Sequence, residues 1–75
     1  MDEFAKNLID LRKRKNFSQR ELAERVGVTQ VAISQYESGE SVPRINIAMK
    51  LADVFGVTCE ELCGKENVNE RTETI

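Results

Sequence analysis

The side chains able to do covalent chemistry are few. No histidine occurs among the 75 residues. That removes the commonest general base, the triads that use one, and most zinc sites. Two thiols are present, Cys59 and Cys63. They are four apart, hence on one face if the segment is helical. Two thiols without histidine cannot complete a four-ligand zinc site within one chain. They read as reduced, small hydrophobes, with Cys63 in a core or interface and Cys59 partly exposed. A redox sensor or intersubunit disulfide is the sharper alternative. Only Lys65 is basic nearby, which gives little reason for an activated thiolate. There is no phosphate-binding glycine loop and no clustered carboxylate pair. The sequence therefore predicts no enzyme, no catalytic residue, no cofactor and no metal. What remains is amide, hydroxyl and guanidinium chemistry, which binds rather than reacts.

The elements that position those groups are helices. Hydrophobic residues make up 40% and charged residues 32% of the chain, a globular balance. Aromatic content is 5% and there is one proline, which suits helices better than a β-sandwich. A chain of this length allows one domain with a thin core. Gly27, Gly39, Gly56 and Gly64 each follow a segment with helical periodicity and divide the chain into five short helices. The first is expected from about Asp2 to Lys15, with Phe4, Leu8 and Leu11 inward and Asn16 ending it. The second starts at the capping box Ser18/Glu21, with Phe17 stapled to Leu22. The third, 29–38, has Thr29 as its N-cap and Val28 stapled to Ile33. The fourth follows Val42-Pro43 and runs to Phe55, with Ile47, Leu51, Val54 and Phe55 inward and Ala48 and Ala52 allowing close approach. The fifth opens with the capping box Thr58/Glu61, with Val57 stapled to Leu62. Residues 1–64 are expected to form the domain and 65–75 a polar, acidic, disordered tail.

The net charge of −2 is unevenly placed. Residues 1–50 carry nine cations against seven anions, and residues 51–75 carry two against six. The run Arg12-Lys13-Arg14-Lys15 stands near the N-terminus. Local charge governs encounter with a polyanion more than the total does.

Only Gly27, Val28 and the Thr29 cap separate the second and third helices. A short glycine-containing turn between two such helices is the helix-turn-helix signature. Ala23 is small where the helices cross, Gly27 accepts the left-handed turn conformation, and Ile33 fills the angle between them. The pieces S-Q-x-E-L-A, V-G-V-T-Q, I-S-x-Y-E-S-G and P-x-x-x-x-A-x-K-L-A, spread over Leu8 to Leu62, resemble the XRE family of Cro/cI-type repressor domains. The resemblance implies an all-α, five-helix, lambda-repressor-like fold that binds operator DNA, usually as a symmetric dimer.

In that architecture the third helix lies in the major groove. The residues left over once its core side is assigned are Gln30, Val31, Ser34 and Gln35, the family's base-contact positions. Glutamine can make a bidentate bond to adenine, and Val31 can meet a thymine methyl. The resemblance puts Gln19, with Ser18, on a phosphate at the second helix's N-terminus, and Thr29 joins them as a phosphate contact. Arg44 stands where many relatives have a Ser or Thr cap, so the fourth helix lacks a side-chain cap and its amides await a phosphate. Arg12 and Glu37 match positions that form a structural ion pair, which removes Arg12 from the DNA contacts.

The expected function is a sequence-specific double-stranded DNA-binding transcriptional regulator. It is expected to act as a repressor, as a homodimer on an inverted repeat. An antitoxin or other protein-interaction module on the same fold is the alternative, with a protein partner. By analogy, a dimer surface is expected around the fourth and fifth helices with Val57, Leu62 and Cys63. No apolar run approaches membrane-spanning length and the N-terminus lacks the features of a secretory signal, so no membrane is expected and the location is cytoplasmic.

Overall fold

The computed structural model describes residues 3–64. It contains α1 (Glu3–Arg14), α2 (Gln19–Val26), α3 (Gln30–Ser38), α4 (Ile45–Phe55) and α5 (Cys59–Cys63). Among the described residues there is no strand. Asp2 and the tail 65–75 lie outside the described residues. Among the described residues the architecture is an all-α bundle of five helices, as the resemblance implies.

Local signals set the boundaries. Ser18 Oγ accepts from Glu21 N at 3.0 Å while Glu21 Oε1 accepts from Ser18 N at 2.8 Å. Thr58 and Glu61 repeat the arrangement at α5. Thr29 Oγ1 accepts from Ala32 N, so α3 begins at Gln30, with Thr29 as its cap. Each cap satisfies amide groups that the first helical turn leaves without partners.

α1 stops at Arg14, one residue earlier than expected. Asn16 adopts φ 61°, and the Asn16 and Phe17 amides donate back to the Lys13 and Arg12 carbonyls. Asparagine is the residue besides glycine that most readily takes this closing geometry. Gly27 ends α2 the same way at φ 77°. Gly64 closes α5 differently: its φ is positive, but its ψ of 129° lies outside the left-handed region.

The core joins Phe4 and Leu8 of α1, Leu22, Ala23 and Val26 of α2, and Ile33 and Tyr36 of α3. Leu51, Ala52 and Phe55 of α4 and Leu62 of α5 complete it. Ile47 and Val54 are only half-buried and pack at its edge. α2 packs on α3 and α4, and α1 packs on α3 and α5. Asn7 Nδ2 donates to the Glu61 and Leu62 carbonyls at 3.3 and 3.0 Å, tying α1 to the last turn of α5. Leu62 has no exposed surface, so the dimer surface expected around it cannot use that side chain.

Candidate nucleic-acid interface

α3 is a helix of nine residues that buries Ile33 and Tyr36. A helix this short does not hold itself in water and takes its stability from packing. The turn Gly27-Val28-Thr29 fixes its entry, and Gly39 at φ 86° ends it. Gln30, Val31, Ser34 and Gln35 are all exposed. Their spacing of one and four places them on one side, opposite the core. Val31 is 64% exposed.

The flank of α3 is braced by one carboxylate. Arg12 Nε and Nη2 both bond the Glu37 carboxylate, the second at 3.2 Å. Gln19 Nε2 donates to Glu37 Oε1 at 2.9 Å. Arg12 Nη1 donates to the Phe17 carbonyl at 2.9 Å. The Arg12 and Glu37 side chains are 15% and 7% exposed. This network links α1, the start of α2 and the last turns of α3. Such a fork-to-carboxylate pair is geometrically specific as well as charged. Gln19, expected at a phosphate, thus commits one amide hydrogen to Glu37. A primary amide carries two, so the second remains for another acceptor.

The other expected phosphate contacts sit at helix starts. Ser18 is exposed, with its hydroxyl and amide both used by the Ser18/Glu21 box. Thr29 is exposed and caps Ala32. Neither α3 nor α4 has an acidic residue in its first turn. Arg44 occupies the N-cap of α4 in an extended conformation and makes no side-chain cap bond. The helix dipole therefore presents an uncompensated positive end at both places.

The basic run is less free than its composition suggests. Arg14 pairs with Asp10 at 3.1 Å, and outside the run Arg20 pairs with Glu24 at 3.5 Å. Arg25 lies over the Phe17 ring at 4.5 Å, a cation–π contact that was not expected. Among the described residues no ion pair involves Lys13, Lys15 or Arg44.

Cys59 and Cys63 are both half-buried against the core. Among the described residues no group of three or more metal-ligating side chains comes together. No helix among them is long and apolar enough to cross a membrane.

The chain matches the family model described as helix-turn-helix over residues 8–62. It belongs to the helix-turn-helix family of the Cro/cI (XRE) type. It is 32% identical over 68 residues to the cryptic phage CTXphi transcriptional repressor RstR of Vibrio cholerae, covering 91% of this chain and 61% of that protein. It is 38% identical over 72 residues to the HTH-type transcriptional activator BcrR of Enterococcus faecalis, covering 96% of this chain and 35% of that protein. This chain thus spans less than two thirds of either relative. Among solved structures it is similar to the P22 c2 repressor in complex with synthetic operator 9T in the presence of Tl+, with a TM-score of 0.78. That match has 27% identity and covers 83% of this chain and 94% of the other. The helix-turn-helix of this family is the α2–turn–α3 unit built above.

Sequence reasoning missed the Asn7 clamp, the Arg25–Phe17 contact and the bond from Gln19 to Glu37. It also missed an exposed apolar group on α4. The four-residue spacing of Asp10 with Arg14 and of Arg20 with Glu24 was the available signal for their pairing.

Proposed function

We propose that this chain is a sequence-specific double-stranded DNA-binding transcriptional regulator. α3 lies in the major groove, with Gln30, Val31, Ser34 and Gln35 at the base edges. Gln30 and Gln35 offer paired donor and acceptor to adenine, Val31 offers an apolar surface to a thymine methyl, and Ser34 donates or accepts. Gln19, Ser18, Thr29 and Arg44 hold phosphates around that helix and set its register. One such helix reads few base pairs, so two copies on an inverted repeat, with half-sites about 34 Å apart, supply the specificity. Repression by occupancy of the operator is the proposed outcome, supported by the names of RstR and the P22 c2 repressor; BcrR, an activator, supports the regulator reading alone.

The observation that carries the reading is the division of α3 into two sides. Its inner side is fixed by Ile33, Tyr36 and the Glu37 brace. Its outer side presents four exposed residues, none used in a side-chain bond to the fold. The test is selection from random double-stranded DNA with the purified chain at two salt concentrations. An enriched inverted repeat supports the proposal. Salt-sensitive binding with no enriched sequence would reduce the activity to backbone affinity and sink the sequence-specific reading.

A further inference from the structure

The DNA-binding reading makes no use of the two soft donors on α5. Cys59 and Cys63 are four apart in one helix, so their side chains share a face. Both are half-buried against the core. The turn that carries them is held at three points. The Thr58/Glu61 box fixes its start, Asn7 holds the Glu61 and Leu62 carbonyls, and fully buried Leu62 anchors it in the core. That rigidity decides what the pair can do. β-Carbons four apart in a helix are separated by about 5–6 Å. A disulfide needs them about 3.5–4.5 Å apart. Closing one would disturb a helix of a single turn, with Leu62 N bonded to Thr58 O at 3.0 Å and Gly64 N to Glu60 O at 2.9 Å. The gap instead fits an atom between the sulfurs. Metal–thiolate bonds are about 2.3 Å long, so one ion in line spans about 4.6 Å from sulfur to sulfur.

We propose that Cys59 and Cys63 hold one copper(I) ion per chain as a two-coordinate bis-thiolate. The donor set selects the ion. Among the described residues no group of three metal-ligating side chains forms. Glu60 and Glu61 follow Cys59 directly and lie off its face, and the Glu61 carboxylate accepts from the Thr58 amide at 2.9 Å. No oxygen ligand therefore joins the sulfurs. Zinc would be left two ligands short of its tetrahedral set. Copper(I) is soft, prefers sulfur, and is satisfied by two thiolates in line. Ligation releases the two thiol protons to solvent and leaves a singly negative complex, with no change of oxidation state. The ion bridges one face of the single turn of α5. A helix of five residues has little stability of its own. The bridge thus stabilises the turn that carries Leu62 and receives Asn7. The inference stands apart from the DNA-binding reading, because α3 contributes nothing to the site.

The experiment titrates the full chain with copper(I) under argon, in competition with a coloured copper(I) chelator. Chelator absorbance reads affinity and stoichiometry, the ultraviolet thiolate-to-copper band reads the ligands, and sedimentation equilibrium reads the mass. The expected result is one copper(I) per chain with no copper-dependent change in mass. The loaded chain should also melt at a higher temperature than the metal-free chain, because the ion binds the folded pair. Cys59→Ser should weaken binding by about 100-fold or more, since the second thiolate acts at high effective concentration. It should also abolish the rise in melting temperature. Cys63→Ser combined with Glu60→Cys keeps two thiols but takes them off a common face. That shifted pair should bind as weakly as Cys59→Ser, with far-UV circular dichroism showing both variants folded. Wild-type binding no tighter than that of Cys59→Ser overturns the proposal. Equal affinity in the shifted pair reduces it to generic thiol chemistry and overturns it too. One copper(I) per two chains with a doubled mass would place the ion between copies, and preference for zinc(II) in direct competition would remove the choice of ion; either result overturns it.

Discussion

Glu37→Ala tests whether the brace on α3 holds the fold. The substitution removes two bonds from Arg12 and one from Gln19. It leaves a guanidinium that is 15% exposed with one bond, to the Phe17 carbonyl. Breaking a buried pair by deleting one partner costs about 3–5 kcal/mol, because the other charge stays uncompensated. Arg12 keeps a carbonyl partner and a little water, so the lower end applies, about 3 kcal/mol. In a domain of this size each kcal/mol moves the melting temperature by about 4–8 °C, so a fall of about 12–24 °C is expected. Replacing both partners, Arg12→Ala with Glu37→Ala, removes the orphaned charge. That double variant should cost about 2 kcal/mol less than the two single losses combined. Urea unfolding followed by far-UV circular dichroism measures all four corners of the cycle. A loss below about 1 kcal/mol for Glu37→Ala, or strict additivity, would refute the claim that these residues act as a unit.

Three further outcomes are expected. Gly27→Ala should cost about 1–2 kcal/mol in unfolding experiments. A Cβ there would meet nothing within 4 Å, so the whole cost is the left-handed backbone, and Gly27→Asn should cost visibly less. Ala23→Leu should destabilise by about 1–3 kcal/mol through overpacking where α2 crosses α3; an unchanged melt would contradict that crossing, since Ala23 is 3% exposed. Gln30→Ala or Gln35→Ala should weaken binding to a selected site by about 1–3 kcal/mol and leave binding to random DNA nearly unchanged; equal losses on both would move that residue to the phosphate class.

Helix starts were legible because their signals are local. Ser18 with Glu21, Thr29 with Ala32, and Thr58 with Glu61 each act across three residues. The end of α1 was less so, since the left-handed residue there is an asparagine rather than a glycine. Non-local contacts were not legible. Asn7 reaches carbonyls 54 and 55 positions away, and backbone acceptors carry no residue identity that a pattern could flag. Gln19 was read by its place at a helix start, which suggests a phosphate; its bond to Glu37 depends on how α2 crosses α3. Leu62 was assigned to an interface because the sequence shows its hydrophobicity and not its burial. Ile45 and Met49 went unremarked for the converse reason: apolar residues in a helix read as core until the fold shows which side faces out.

The division of α3 into a braced side and an outer side has a direct consequence. If Gln30, Val31, Ser34 and Gln35 serve recognition alone, the fold should not need them. Alanine is the best helix former, and each replacement gains between about 0 and 0.7 kcal/mol of propensity. Val31 is 64% exposed, so its truncation removes little packing. Changing all four to alanine should therefore leave the melting temperature equal or higher. It should erase enrichment of any sequence in selection, while salt-dependent binding to random duplex persists through the backbone contacts. Both readouts are needed. A destabilised variant would mean that the outer side supports the fold, and lost selectivity would then say nothing about recognition. A stable variant that still enriches the parent's sequence would place the readout on another element.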